Sequence, residues 1–308
     1  MGISKKDSDI VVIQSTRRDE CGGTDATLDR SAPKEIKSED IVLFDVTSAL
    51  GYSDKRQIEN GEEFSDICYI SAFVAKCGDN AFVFLQTDKT PRVTSGNYSF
   101  SIVKSVPKEL DGIVKKYGFA KQNGFNSTTH GLPENFGGSV RIEYSSGERI
   151  SFSDNQSPVI GLAAAREIAK LLSDCLKREK IGTPDISALK QIEFEETREG
   201  GFTKATLTLL PDGTATNKKS SQYDGGTVYE SEKQVDADTV LRIKSDITNR
   251  GLLLWSALPQ NKFACGNKKT LTFVFEGGEK ITVTDDRAVP AALSGGFFAV
   301  ELEMTVKH

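Results

Sequence analysis

Histidine is nearly absent from this 308-residue chain, which contains only His130 and the terminal His308. Catalysis of the Ser-His-Asp or Cys-His kind would have to use His130, which lies in the polar stretch NSTTHGLPENFGG without a GxSxG motif. Neither a CxxC pair nor an HExxH motif occurs, so the spacing of a zinc site is missing as well. The sequence therefore predicts no catalytic residue, no metal site and no cofactor.

Phosphate-binding loops, basic stripes and long apolar runs are also missing. Neither GxxxxGK[ST] nor GxGxxG occurs, and the net charge of -5 is spread over interspersed acidic and basic residues, which argues against nucleotides and nucleic acid. No run approaches the length of a membrane span, and the run from Ile10 to Ile13 is too short for a signal peptide. We expect a soluble, cytoplasmic protein, although a chain whose export signal had been removed would look the same.

Five cysteines in a chain of this length are a poor match to a disulfide framework. Cys175 falls on the apolar face of a predicted helix, where we expect a buried thiol. Cys68 and Cys77 flank one apolar strand. The sequence leaves open whether these two pair in an oxidising compartment, and we prefer the unpaired state.

Asp154–Asn155 and Asp285–Asp286 each follow a predicted strand, where carboxylate or amide oxygens could bind calcium. Short polar residues at the end of a strand more commonly accept hydrogen bonds from nearby backbone amides. We prefer this second interpretation for both pairs.

Two stretches repeat one pattern: VRIEYSSGERISFSDN at 140–155 and LTFVFEGGEKITVTDD at 271–286. Each alternates apolar and polar residues on both sides of a glycine-containing turn, which predicts a β-hairpin. Aligning Gly147 with Gly278, an offset of 131 residues, matches every apolar position of one stretch to the same face of the other. The chain therefore reads as two copies of one unit.

Helical spacing precedes both hairpins, at 106–118 and 236–251, and each of these segments ends at a glycine. A third helix is predicted after the first hairpin, with Ser157 as its cap and Pro158 in its first position. The corresponding tail, 290–308, is ambiguous. The repeat implies a helix, but the alternation of apolar residues favours a strand, which we prefer; these residues are Phe298, Val300, Leu302, Met304 and Val306.

These patterns predict an α+β protein of two tandem related units, each an antiparallel sheet with one or two covering helices. The first unit is expected at 33–182 and the second at 183–308. Residues 1–32 repeat nothing and are expected to form a flexible polar arm, in which IVVIQS has the composition of an edge strand.

The runs GFNSTTHGLPENFGGSVRIEYSSGERISFSDNQSP and LLLWSALPQNKFACGNKKTLTFVFEGGEKITVTDDRAVP resemble uncharacterised bacterial proteins built from a repeated α+β unit. In those proteins a glycine-bearing loop leads to a strand, a DG-type turn, a second strand and a helix that starts at a proline. The resemblance covers most of 33–308. It implies a shared fold unit and no known activity.

The missing catalytic motifs favour a non-enzymatic binding protein, whose partner would be a protein, a peptide or a glycan. A hydrolase that uses carboxylates across the inter-unit cleft is the alternative, and a structural or assembly role is the third hypothesis. The candidates for partner contacts are Trp255, Phe125 and His130. Trp255 has a polar counterpart near Gln122, which would suit a contact made by one unit, but core packing is the interpretation that we prefer for this lone tryptophan. The sequence leaves the oligomeric state open.

Overall fold

The computed structural model describes residues 10–15, 23–50, 58–59, 62–63, 67–88, 98–132, 136–178, 180–181, 184–260 and 268–305. The chain divides into two compact units, Met1–Ile181 and Gly182–His308. It is a mixed α+β protein with two large, mainly antiparallel sheets. Within the described ranges, no helix is both long and apolar enough to span a membrane.

The described part of the first unit contains twelve strands and two α-helices. The strands are β1 Ile10–Ser15, β2 Thr24–Asp29, β3 Ile41–Ala49, β4 Ile58–Glu59, β5 Glu62–Glu63, β6 Tyr69–Cys77, β7 Asn80–Asp88, β8 Tyr98–Val103, β9 Phe125–Thr129, β10 Gly138–Tyr144, β11 Arg149–Asp154 and β12 Lys180–Ile181. The helices are α1 Glu109–Lys116 and α2 Leu162–Arg178. Ten strands form one sheet in the order β1-β2-β9-β11-β10-β3-β6-β7-β8-β12, and β4 pairs with β5 separately.

The core of the first unit lies between this sheet and its two helices. Alternation in the strands turns apolar residues such as Phe44 on β3 and Ile142 on β10 towards the helices, where both are fully buried. Helix α2 contributes Ile168 and Leu172, one turn apart on its buried face. Burying each of these side chains stabilises the unit by about 1.5–3 kcal/mol.

Helix α2 begins later than the sequence predicts. The predicted cap is Ser157, but the helix starts at Leu162, because the intervening residues are held against the sheet. Val159 is buried, and its backbone amide donates a hydrogen bond to the Ser48 hydroxyl at 3.1 Å. This contact keeps the segment out of the helical conformation.

Part of the expected N-terminal arm belongs to the sheet. Strand β2 pairs antiparallel with β9 over five residues, from Thr24 opposite Thr129 to Leu28 opposite Phe125. Strand β1, the IVVIQS segment, pairs with β2 at the sheet edge. The edge strand expected for IVVIQS is therefore confirmed, whereas the polar composition of 24–29 did not predict its pairing with β9.

The described part of the second unit contains one sheet of six strands in the order β16-β15-β14-β13-β17-β18. The strands are β13 Leu189–Arg198, β14 Gly201–Leu209, β15 Ala215–Gln222, β16 Tyr229–Val235, β17 Lys269–Phe275 and β18 Lys280–Thr284. The helices are α3 Ala237–Asn249 and α4 Ala291–Thr305. The hairpins predicted at 140–155 and 271–286 are confirmed as β10–β11 and β17–β18.

The strand preferred for the C-terminal tail is wrong, because Ala291–Thr305 forms helix α4. Its buried face carries Phe297, Val300 and Met304, which are three and four residues apart. Gly296 on the same face lets another segment approach closely: a Cβ there would lie 2.5 Å from Cβ of Arg250. The alternating pattern was coincidental, since Phe298 is 60% exposed.

The cysteine pair left open by the sequence does not form. Cys68 and Cys77 stand at opposite ends of β6, which at about 3.3 Å per residue separates them far beyond the reach of a disulfide. Neither these two nor Cys175 is in a disulfide, and Cys68 and Cys175 are buried. Cys21 and Cys265 lie outside the described residues.

Candidate functional site, a lysine-rimmed pocket in the first unit

A pocket of about 300 Å³ lies where three segments of the first unit meet. One wall is the loop 34–37 after Pro33, another is the corner where α1 passes into a short 3₁₀ helix, and the third is the β10–β11 hairpin. We call it the lysine pocket. Its lining residues are Lys34, Glu35, Ile36, Lys37, Val114, Lys115, Gly118, Ala120, Lys121, Tyr144 and Ile150.

The floor of the lysine pocket is apolar. Val114 on α1, Tyr144 on β10 and Ile150 on β11 are all buried. The Tyr144 hydroxyl donates a hydrogen bond to the carboxylate of Asp111 at 3.2 Å. Burial and the neighbouring Asp111 charge raise the pKa of Tyr144, so the phenol stays neutral.

Asn123 fixes two walls of the pocket to each other. Its side chain is buried and its amide nitrogen donates to the carbonyl oxygens of Pro33 and Arg149, each at 2.9 Å. Its side-chain oxygen accepts from the Ser151 amide at 2.7 Å. These hydrogen bonds tie the loop, the 3₁₀ corner and β11 to one another.

Glu148 holds the same loop from the hairpin side. Its two carboxylate oxygens accept hydrogen bonds from the backbone amides of Lys37 and Ser38, each at 3.0 Å. The Lys37 amide is the main cause that lowers the pKa of Glu148, followed by the Ser146 hydroxyl. The ionised carboxylate thus anchors the loop and leaves its lysine side chains on the rim.

Four lysines surround the opening, and their charges are balanced to different degrees. Lys115 pairs with Asp111 at 2.8 Å and with Glu39 at 3.1 Å. The ammonium of Lys34 donates to the carbonyl oxygen of Asn123, a neutral acceptor. Lys121 has no carboxylate within 4.0 Å in the part of the chain that the structure describes.

The local backbone places Lys121 over the pocket. Gly118 ends α1 in the left-handed conformation with φ +65°, which an L-residue rarely adopts. The chain turns there into the 3₁₀ helix Phe119–Gln122. The side-chain carbons of Lys121 then lie 3.3–3.7 Å from where a Cβ of Gly118 would be.

Two other cavities of the first unit have more acidic than basic side chains in their lining. A cavity of about 420 Å³ is lined by Asp29, Glu148 and Arg149, and Asp29 is already bonded to Ser31. A cavity of about 290 Å³ has an acidic rim in which Asp40 pairs with Lys76 at 3.2 Å. Across the described ranges, no group of three or more His, Cys, Asp or Glu residues could hold a metal ion.

One carboxyl group elsewhere in the first unit is electrostatically unusual. Asp45 lies on β3 directly opposite Arg141 on β10 and Phe73 on β6. Burial raises the pKa of Asp45 to about 6, although the positive charge of Arg141 acts in the opposite direction. The guanidinium of Arg141 is itself bonded to Glu143 at 2.6 Å. Asp45 therefore changes its protonation near neutral pH.

The three residues singled out from the sequence do not meet in one site. Trp255 is 1% exposed, stacks on Phe297 and donates its indole N–H to the Arg250 carbonyl, so core packing is its role and an exposed anchor is excluded. Phe125 on β9 is half-buried against the first core. His130 follows β9, with Nε2 at 3.1 Å from the carboxylate of Asp25.

The predicted local role of the aspartates after the hairpins is confirmed. Asp154 Oδ1 accepts hydrogen bonds from the backbone amides of Gln156 and Ser157 at 2.8 and 2.9 Å. A carboxylate oxygen of Asp285 accepts from the Lys269 amide at 3.2 Å.

The sequence reading missed the lysine pocket. Its signal was a local excess of lysine beside apolar residues, in PKEIK at 33–37 and KKYGFAK at 115–121. These two stretches are distant in the chain, and only the contact made by Asn123 shows that they face one cavity. No protein-family model, no curated protein and no solved structure matches this chain. The resemblance to uncharacterised bacterial repeat proteins stays a prediction.

Proposed function

We propose that this chain is a non-enzymatic binding protein whose ligand occupies the lysine pocket of the first unit. The observation that carries the proposal is the combination of an apolar floor with Lys34 and Lys121, which have no carboxylate partner among the described residues. A preformed concave site with few polar groups is the usual form of a ligand site, and its volume lies at the small end of that range. It suits a small molecule or one side chain of a peptide.

We propose further that the two units arose by duplication of one unit. The strand order β11-β10-β3-β6-β7-β8 within the first sheet corresponds to β18-β17-β13-β14-β15-β16 in the second. In both units the chain runs through four strands, a helix, two strands and a closing helix, with additional strands only in the first. The shared order supports descent from one ancestral sheet.

The pairing register supports the duplication more strongly than the order of elements. Ile142 pairs with Ile150 in the first hairpin, and Phe273 pairs with Ile281 in the second, with the same offset of 131 residues. The pairing of β10 with β3 shifts register just before Tyr144. The pairing of β17 with β13 shifts just before Phe275, which lies opposite Leu189 and corresponds to Tyr144 at the same offset. A bulge is a local irregularity, so its recurrence at one position favours common origin.

At two aligned positions the second unit lacks the lysines that line the lysine pocket. Gly251 ends α3 in the left-handed conformation, as Gly118 ends α1. When these two glycines are aligned, Leu254 takes the position of Lys121 and Thr248 takes the position of Lys115. Leu254 is buried in the second unit. This difference between Lys121 and Leu254 favours a binding role in the first unit alone. In the second unit the equivalent corner is occupied by a buried apolar side chain.

The proposal is tested by blocking the pocket. Ala120 lines the lysine pocket, and Ala120→Trp places an indole in it; Ala163→Trp, at an exposed position of α2, is the matched control. The probe is anilinonaphthalene sulfonate, an apolar anion whose fluorescence rises on binding. We expect saturable binding to the wild type and the control, and an affinity lower by about tenfold or more for Ala120→Trp.

Circular dichroism and thermal unfolding establish that both variants are folded. Absence of saturable binding to the wild type, or equal affinity of a folded Ala120→Trp protein, would contradict the proposal.

A hydrolase is the second candidate, and Asp45 is the observation that favours it. A carboxyl group with a pKa of about 6 can act as a general acid near neutral pH. If the chain hydrolyses chromogenic esters or glycosides and Asp45→Asn abolishes that activity while the fold is kept, the hydrolase replaces the binding proposal. An equal rate for Asp45→Asn and wild type would remove Asp45 from consideration.

A further inference from the structure

We infer that the lysine pocket selects singly charged organic anions with a compact apolar body, of which a small carboxylic acid is the simplest. This inference rests on the proposed function, because it specifies the ligand of the same pocket. It is carried by three features of the described residues: the two rim lysines without a carboxylate partner, the donors that the rim lacks, and the apolar floor.

Two lysines of the rim have no carboxylate partner among the described residues. Lys115 is already paired with Asp111 and Glu39. The ammonium of Lys34 donates to the neutral carbonyl oxygen of Asn123, and Lys121 forms no ion pair in the described part of the chain. An anionic group on a ligand supplies the partner that these two ammonium groups lack.

The donors around the pocket favour a carboxylate over a phosphate. The lining includes no arginine, so the fork that binds phosphate through two parallel bonds is missing there. The backbone amides of Lys37 and Ser38 are already used by Glu148, and therefore cannot form an anion-binding nest. What remains is a pair of lysine ammonium groups on flexible stems, which suit a compact single charge.

The floor requires an apolar body on the same ligand. Val114, Tyr144 and Ile150 present buried side chains to the cavity, and the Tyr144 hydroxyl already donates to Asp111. The alkyl stem of Lys121 lies against Gly118 at the edge of this floor, so it can cover an apolar group while its ammonium reaches the anion. A charged ligand without an apolar group would leave the side chains of the floor in contact with water.

The experiment compares four related compounds by calorimetric titration of the full chain: phenylacetate, the neutral phenylacetamide, the cationic phenethylamine and the doubly charged phenyl phosphate. We expect phenylacetate to bind about tenfold or more tightly than the amide, and its affinity to fall as salt is added. Phenethylamine is expected not to bind, and phenyl phosphate to bind more weakly than phenylacetate.

Variants assign the preference to the rim. Lys121→Gln is expected to weaken phenylacetate binding severalfold and to leave phenylacetamide unchanged, because it removes charge and keeps a polar stem. Lys170→Gln is the matched control, since Lys170 is an exposed lysine on α2 that pairs with Asp174. It is expected to change neither compound.

Each remaining outcome contradicts the inference in a distinguishable way. If acid and amide bind equally and Ala120→Trp removes both, the pocket binds ligands without charge selection; the inference fails and the proposed function stands. Tighter binding of phenyl phosphate overturns the single-charge preference alone. If no compound binds and anilinonaphthalene sulfonate does not bind either, the inference and the proposed function fail together.

Discussion

Replacing Asp45 by asparagine is expected to make the stability of the first unit less dependent on pH. Asp45 lies in the middle of the sheet, between Arg141 and Phe73 on the neighbouring strands. Burial raises its pKa from 3.8 to about 6. The folded state therefore binds this proton more tightly than the unfolded chain does, and protonation of Asp45 stabilises the fold.

The size of the effect follows from the shift in pKa. The difference between about 6 and 3.8 is about 2.2, and each pKa unit corresponds to about 1.36 kcal/mol, which gives about 3 kcal/mol. The stabilisation is fully present below the unfolded pKa of about 4 and is lost as the pH rises through about 6. Asparagine does not ionise and loses nothing over this range. The free energy of unfolding of Asp45→Asn, minus that of the wild type, should rise by about 3 kcal/mol between pH 4 and pH 7.

The assay is urea unfolding followed by circular dichroism at several pH values, with the transition of the first unit fitted separately. Asp174→Asn is a control of opposite sign: the hydrogen bond from Lys170 lowers the pKa of Asp174, so this variant should lose stability relative to wild type as the pH rises to about 4, and the difference should stay constant above that pH. A difference between Asp45→Asn and wild type that stays constant from pH 4 to pH 7, or that falls, would refute the reasoning.

Three further predictions concern packing and backbone geometry, and thermal or urea unfolding of five variants tests them. Gly296→Ala should destabilise the second unit, because the added Cβ would lie 2.5 Å from Cβ of Arg250. Gly295→Ala has no contact closer than 3.9 Å and should stabilise the unit by about 0.5–1 kcal/mol. Equal effects of the two substitutions would contradict the packing. Gly118→Ala and Gly251→Ala should each cost about 1–2 kcal/mol, since both sites have positive φ, and a cost in only one would argue against equivalent corners. Asn123→Ala removes three hydrogen bonds of a buried amide and should cost about 2–4 kcal/mol, with loss of probe binding in the lysine pocket; unchanged stability would mean that Asn123 does not fix the walls.

Local patterns were sufficient for the hairpins and for two of the helices. Alternation around Gly147 and Gly278 predicts strands and a turn because a glycine with positive φ and alternating side chains are requirements of the hairpin itself. Helix α3 shows the same locality. Asp236 accepts the Thr239 amide at its start and Gly251 ends it, so a few adjacent residues define both boundaries.

Local patterns failed where a distant contact decides. Helix α4 reads as a strand until its buried residues are known, because Phe298 is apolar yet faces solvent. The delayed start of α2 depends on a hydrogen bond to Ser48, more than a hundred residues earlier in the chain. In the expected arm, β2 becomes ordered because β9 offers a free edge to pair with.

The lysine pocket also depends on contacts between residues that are far apart in the chain. Lys34 and Lys121 are unremarkable surface lysines in the sequence, and Asn123 resembles an ordinary turn residue. Their shared role appears only when Asn123 bonds to Pro33 and to Arg149, which brings two separate basic stretches to the rim of one apolar cavity.

By itself the sequence determined the two hairpins with their turns and the boundaries of α3, since these depend on the conformational preferences of residues that are neighbours in the chain. Only the tertiary structure decided which surfaces are buried, how the N-terminal strands extend the first sheet, and where lysines without a carboxylate partner among the described residues lie beside an apolar floor. Those properties depend on distances between residues far apart in sequence, and no local pattern specifies such distances.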